Sequence, residues 1–207
     1  MQFRTLPQYK QQAVIDISYD MIVLAIVDTS GSMLGIPITQ VDNYLLELVE
    51  RLCSAQEISQ KHIAFSVICF NEKAECMLKP TPVERVTIPK LEISTKADGL
   101  YPLSSFFAMY TCLREWLDEN ACAGRINLLL FSDGMDTDRV RADVQRARLE
   151  GNPYFKQASK RIFLTNPEFD PNDALRRQIE HNLQWDVSDI LKAGEAFENI
   201  TNEVFSI

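Results

Sequence analysis

Two nearly uninterrupted apolar segments constrain this chain more than any other feature: MIVLAIV at 21–27 and INLLLFS at 126–132. Both are strand-sized, and neither shows the polar–apolar alternation of a strand with one wet face. Both are therefore expected as central strands of a parallel sheet, covered on each side. Between and after them, short strand candidates alternate with amphipathic helical stretches. That order builds a doubly wound α/β sheet with helices on both faces.

The remaining elements follow from periodicity and punctuation. Ile38, Val41, Leu45, Leu48, Val49 and Leu52 recur at three- and four-residue steps, predicting a helix from about Pro37 to Ala55, with Pro37 suited to its first turn. HIAFSVICF (62–70) is the next strand, with an antiparallel hairpin partner around Ala74–Leu78 at the sheet edge. Lys79–Lys90 carries three prolines and reads as irregular or edge structure. Further helices are expected over about Leu103–Leu117, Thr137–Leu149, Asp170–His181 and Glu195–Phe205. Gly151-Asn152-Pro153 closes the second of these, and Asp170-Pro171 opens the third as N-cap and first-turn proline. Arg161–Thr165 and Trp185–Leu191 complete six strands, with Ala13–Ile17 a short edge strand or lead-in. The whole reads as one domain over residues 1–207, its core at about 20–206 and residues 1–19 a lead-in.

Composition excludes several function classes. With 46% apolar and 24% charged residues, the chain is an ordinary globular one. A net charge of −8 argues against nucleic acid as the main partner, because affinity for phosphate backbones rests on Lys and Arg. The arginines at 139, 141, 146 and 148 read as a solvated helix face. Five cysteines, an odd number without Cys-x-x-Cys spacing, indicate neither a disulfide framework nor a zinc site, and suit a reduced, cytoplasmic setting. No secretory apolar region and no spanning-length apolar run occur, so no membrane association is expected.

The chemistry concentrates where the two central strands end. Directly after the first stands Asp28-Thr29-Ser30-Gly31-Ser32. In an extended loop alternate side chains point the same way, so Asp28, Ser30 and Ser32 can converge at the carboxyl end of a parallel strand, where open α/β sheets bind ligands. The second central strand delivers Asp133 in the same fashion. Carboxylate and hydroxyl oxygens suit Mg²⁺, Mn²⁺ or Ca²⁺ rather than zinc. Asp28 and Asp133 together balance a divalent ion, and the neutral serines leave it electrophilic. A partner's carboxylate could then replace a metal-bound water.

At these residues, VDTSGSM (27–33) and LLLFSDG (128–134), the sequence resembles the von Willebrand factor A (integrin I-like) family. Gly35-Ile36-Pro37-Ile38 and Asp136-Thr137-Asp138 look most like bacterial cytoplasmic members of the TerY type. The resemblance implies a Rossmann-like fold, a metal-ion-dependent adhesion site holding Mg²⁺, and a protein ligand, with stress-response partners suggested by the TerY type. Four of the family's five metal residues carry over, as Asp28, Ser30, Ser32 and Asp133. The fifth, a threonine, is replaced by Tyr101 in Gly99-Leu100-Tyr101-Pro102. Tyr101 could cover the metal, offer its hydroxyl or block the position, and Ser104 or Ser105 could substitute. Met33, Tyr101 and Asp136 are expected to line the partner-binding rim. Oligomeric state is not legible.

Blander roles compete. Asp28 or Ser32 could merely cap the helix at Pro37, although that explains neither the convergence with Asp133 nor its spacing. His62 and His181 sit at element ends, and Trp116 and Trp185 read as core. No nucleophile elbow, phosphate loop or dinucleotide fingerprint is present, so no enzyme is expected. Two alternatives remain: a metal-independent scaffold whose site has lapsed, and a Mg²⁺-dependent phosphotransferase using Asp28.

Overall fold

The computed structural model describes residues 18–120, 124–134, 137, 139–165 and 185–207. Along them run β1 (Met21–Asp28), α1 (Ile36–Ser59), β2 (Ile63–Phe70), β3 (Ala74–Pro82) and α2 (Phe106–Glu119). Then follow β4 (Arg125–Ser132), α3 (Arg139–Glu150), α4 (Pro153–Gln157), β5 (Ser159–Leu164), β6 (Asp186–Asp189) and α5 (Ala193–Val204). All eight residues of β1 are buried, the expected property of a strand covered on both faces.

The strands order as β3-β2-β1-β4-β5-β6. β3 runs antiparallel to β2 at one edge, and every other pairing is parallel. This is the Rossmann-like, mostly parallel six-stranded sheet expected, with its one antiparallel edge strand. Alternation along β1 divides the core in two. Met21, Val23, Ala25 and Val27 pack with α1 and α5, while Ile22, Leu24 and Ile26 pack with α2, α3 and α4. Leu45, Leu48 and Leu52 fasten α1 and are fully buried. Truncating one of them to alanine costs about 2–5 kcal/mol.

Helix boundaries depart from expectation where polar side chains decide them. The apolar stripe of α1 stops at Ala55, yet the helix runs on to Ser59. Gln56 explains the extra turn: its side-chain oxygen accepts the Ile63 N–H at 2.8 Å and its amide donates to Glu84 at 2.8 Å. Gly151-Asn152-Pro153 is a restart as well as a stop. The Asn152 side chain accepts the N–H groups of Tyr154 and Phe155, which initiates α4 and delivers Phe155 to the core beside Trp185. Trp116 and Trp185 are both buried, as expected.

The cysteines at 53, 69, 76 and 112 are free. Among the described residues, no helix is long and apolar enough to cross a membrane. The expected strand at Ala13–Ile17, the helix from Asp170 and Pro171 to His181, and Cys122, Asp136 and Asp138 lie outside the described residues.

Candidate metal centre

β1 and β4 are neighbouring parallel strands with Val27 beside Phe131. Asp28 and Ser132 therefore end the two strands side by side, and Asp133 follows at once. Alternation turns Asp28 and Ser132 toward the α2 face, in line with Ile26 and Leu130. The loop that precedes α2 lies on that same face and supplies Ser104.

Asp28 is wholly buried. Its Oδ1 accepts the Ser30 N–H at 2.9 Å, and its Oδ2 accepts the hydroxyls of Ser104 at 2.8 Å and Ser132 at 2.9 Å. A carboxylate offers about four acceptor positions, and the Ser30 hydroxyl bears on this one as well, so donors surround both oxygens. Burial pushes the Asp28 carboxyl above its ordinary range, and the donors from Ser30, Ser104 and Ser132 hold it back. Ser30 is buried and Ser32 exposed, with their hydroxyl oxygens 3.1 Å apart. The alternate residues 28, 30 and 32 thus lead from a buried charge to the surface. Asp133 is 7% exposed, and the following Gly134 turns the chain at φ 81°. Such a left-handed turn favours glycine.

Neighbouring loops brace this arrangement. Both the N–H and the hydroxyl of Thr29 donate to the Phe70 carbonyl, at 2.7 and 3.0 Å. Asn71 donates to the Thr29 hydroxyl, and its carbonyl accepts the Ser105 N–H. Thr137 donates its N–H and its hydroxyl to the Ser104 carbonyl. Gly31 donates to the Pro102 carbonyl at 2.9 Å, and a Cβ at Gly31 would stand 2.5 Å from that of Tyr101. Only glycine lets these two loops meet so closely.

Several expectations change. Met33 does not line a rim: it is fully buried in the α1–α5 core, its sulfur accepting the Thr165 hydroxyl. The short 3-10 turn Gly31–Met33 carries the chain back onto the sheet and leaves Leu34 and Ile36 exposed instead. Tyr101 stands over Gly31 and is 44% exposed, while Ser104 is the residue of its loop that reaches Asp28. Capping does not account for the aspartate and serines, since the N-cap of α1 is Gly35, with no side-chain cap. Ser132 was not singled out from sequence. Its signal was its place beside Asp28 on the same face of the adjacent strand.

The donors are hard oxygens, and among the described residues no group of three or more His, Cys, Asp or Glu is arranged to hold an ion. The fit to a metal therefore rests on hydroxyls together with two carboxylates. Two adjacent ligands of an octahedral ion at about 2.1 Å lie about 3 Å apart. The Ser30 and Ser32 oxygens are 3.1 Å apart in a hydrogen bond, a separation that such an edge also has, and an ion held by both would replace that hydrogen bond.

No family model matches the sequence, and no curated protein matches it at a significant level. Solved structures do resemble it. An aerotolerance-related membrane protein from Bacteroides fragilis superposes with a TM-score of 0.53 at 12% identity, covering 90% of this chain and 100% of its own. A von Willebrand factor type A protein from Catenulispora acidiphila gives 0.57 at 15% identity, covering 91% of this chain and 43% of its own. The pilus adhesin SpaC from Lactobacillus rhamnosus GG, in its open conformation, gives 0.65 at 8% identity, covering 92% of this chain and 30% of its own. At these identities the likeness establishes the fold; closeness to the TerY type is not among the findings.

Proposed function

We propose that this chain, whose fold is that of von Willebrand factor A domains, is a non-catalytic interaction module working through a divalent metal. Mg²⁺, or Mn²⁺ or Ca²⁺ in its place, would be held by Asp28, Ser30, Ser32 and Asp133 and would capture a carboxylate of a partner protein. A bacterial stress-response setting is part of the proposal. The observation that carries it is the pair of serine hydroxyls 3.1 Å apart, the exposed one of which opens to solvent. When bound, the metal supplies Lewis acidity toward the partner's oxygen. The protein's own residues do the rest: Asp28 and Asp133 contribute two negative charges, and Ser104 and Ser132 keep the Asp28 carboxylate oriented. Neutral serine donors withdraw little of the ion's charge, which suits the capture of a further carboxylate.

The phosphotransferase alternative is disfavoured by burial. As a nucleophile Asp28 would need an accessible oxygen, whereas its carboxylate is buried with donors from Ser30, Ser104 and Ser132. A metal-independent scaffold is distinguished by experiment. Free Mn²⁺ measured by electron paramagnetic resonance should fall with one ion taken up per chain. Ser32→Ala, at an exposed position, and Asp133→Ala should each weaken uptake about tenfold or more. Absence of uptake by the wild type would overturn the proposal.

A further inference from the structure

Two of the loops at this site carry exposed apolar side chains. Leu34, Ile36, Leu100, Tyr101 and Leu103 are between 44% and 74% exposed. Single exposed apolar residues are ordinary on any protein, but clustered ones mark interaction sites. These five are divided between two loops that meet. Leu34 and Ile36 follow Ser32, while Leu100, Tyr101 and Leu103 lead into Ser104, whose hydroxyl holds Asp28. The two loops are fastened together by the Gly31–Pro102 hydrogen bond and by Tyr101 seated on Gly31. Exposed apolar residues are thus carried by both of the loops that meet at Gly31, next to the exposed Ser32.

Charge then narrows what this collar accepts. Residues 29–36 carry no charged side chain, and residues 96–105 carry only Lys96 and Asp98. Lys96 is already paired with Glu72 at 2.8 Å, and Glu72 also accepts the Leu103 N–H. Asp98 accepts the Leu100 N–H at 3.0 Å and leaves a negative charge at the collar, in a chain of net charge −8. Arg141 shares a hollow with Leu103 and Glu72, so a run of acidic residues would meet one cation on that flank and the carboxylates of Glu72 and Asp98 beside it. One carboxylate with apolar neighbours would meet the ion at its centre and hydrocarbon at its flanks.

We infer that the partner segment carries a single carboxylate flanked by large apolar side chains, the carboxylate directed to the metal and the flanks to the collar. This rests on the metal-dependent reading above and adds to it the source of selectivity. A bare ion accepts any carboxylate, whereas the collar restricts the choice to a solitary acid in an apolar setting.

The test is selection from a displayed peptide library with a fixed central glutamate and three randomised residues on each side. Peptides are captured on the full chain in Mg²⁺ and released with EDTA. Enrichment of Leu, Ile, Phe or Tyr at the flanks is expected. A selected peptide should bind about tenfold more tightly than one with the same glutamate between serines, and than an octaglutamate. Leu100→Ser/Leu103→Ser should remove that tenfold preference while keeping the Mg²⁺-induced rise in thermal midpoint. Unbiased or acidic flanks, with EDTA release intact, would overturn the collar and leave the metal reading standing. Binding that persists in EDTA and with the glutamate changed to glutamine would overturn the metal reading itself. Mg²⁺-dependent dimerisation on size exclusion that competes with the peptides would make the occupant a second copy, and would overturn the inference of a separate partner.

Discussion

Asp28 and Asn127 are both completely inaccessible to solvent, and they lie on neighbouring strands of one sheet. Asp28 ends β1 and receives three hydrogen bonds. Asn127 lies near the start of β4, beside Val23 and Ser159, and neither its amide nitrogen nor its oxygen has a partner. The contrast follows from where each sits. Inside the sheet, backbone groups are committed to the ladder, and a polar side chain is satisfied only where a particular partner reaches it, as Leu78 and Trp116 reach Ser66 and nothing reaches Asn127. At the carboxyl ends, loops converge and bring hydroxyls and free N–H groups. Burial of polarity is an uncompensated cost at Asn127 and an organised feature at Asp28.

Removing the organisation should have the largest effect. Ser104→Ala/Ser132→Ala strips both donors from Asp28 Oδ2, and hydrogen bonds to charged groups are worth about 1.5–3 kcal/mol each. A loss of about 3 kcal/mol is expected from urea unfolding in EDTA at neutral pH. An unchanged midpoint would erase the distinction between the two residues.

The converse substitution acts at the other end of the sheet. Asn127→Leu keeps similar volume and removes the orphaned amide, and it should raise stability by about 1–2 kcal/mol. A fall instead would mean that the amide is satisfied in solution and that the carboxyl end is not special.

The smallest effect sharpens the comparison with a third, half-buried group. Cys69, on β2 beside Val27, lacks the donors that Asp28 enjoys, and burial pushes its thiol up to about 12 from an ordinary 9.0. Because the folded value is raised, its contribution is complete below pH 9 and is lost as pH climbs from 9 toward 12. Cys69→Ala should flatten part of the decline in unfolding midpoint between pH 8 and 10. An identical decline in the variant would show that this thiol ionises as freely in the folded chain as in the unfolded one.

These contrasts also explain what could be read from sequence. The central strands were legible because burial on both faces forces nearly continuous apolar runs, as in 21–27 and 126–132. Asp28, Ser30 and Ser32 were legible because alternation needs no tertiary information. Ser104 was legible only as one of two substitutes for the absent threonine. Its contact with Asp28 depends on how the aperiodic stretch before α2 lies across the sheet. Met33 was misassigned because a single 3-10 turn reverses its direction, and nothing in GSM announces that turn. The last turn of α1 leaves no mark in the apolar pattern, because polar contacts of Gln56, and no apolar stripe, extend the helix.

The most direct test of the metal-dependent reading is the thermal midpoint of wild type and Asp28→Asn, first in EDTA and then with Mg²⁺ titrated in. At about 100 times its dissociation constant, an ion bound only by the folded state adds about 2.7 kcal/mol, or roughly 5–10 °C for a chain of this size. The expected result is that rise in the wild type and none in Asp28→Asn. A flat wild-type midpoint, or an equal rise in the variant, would contradict a metal held at the carboxyl end of β1.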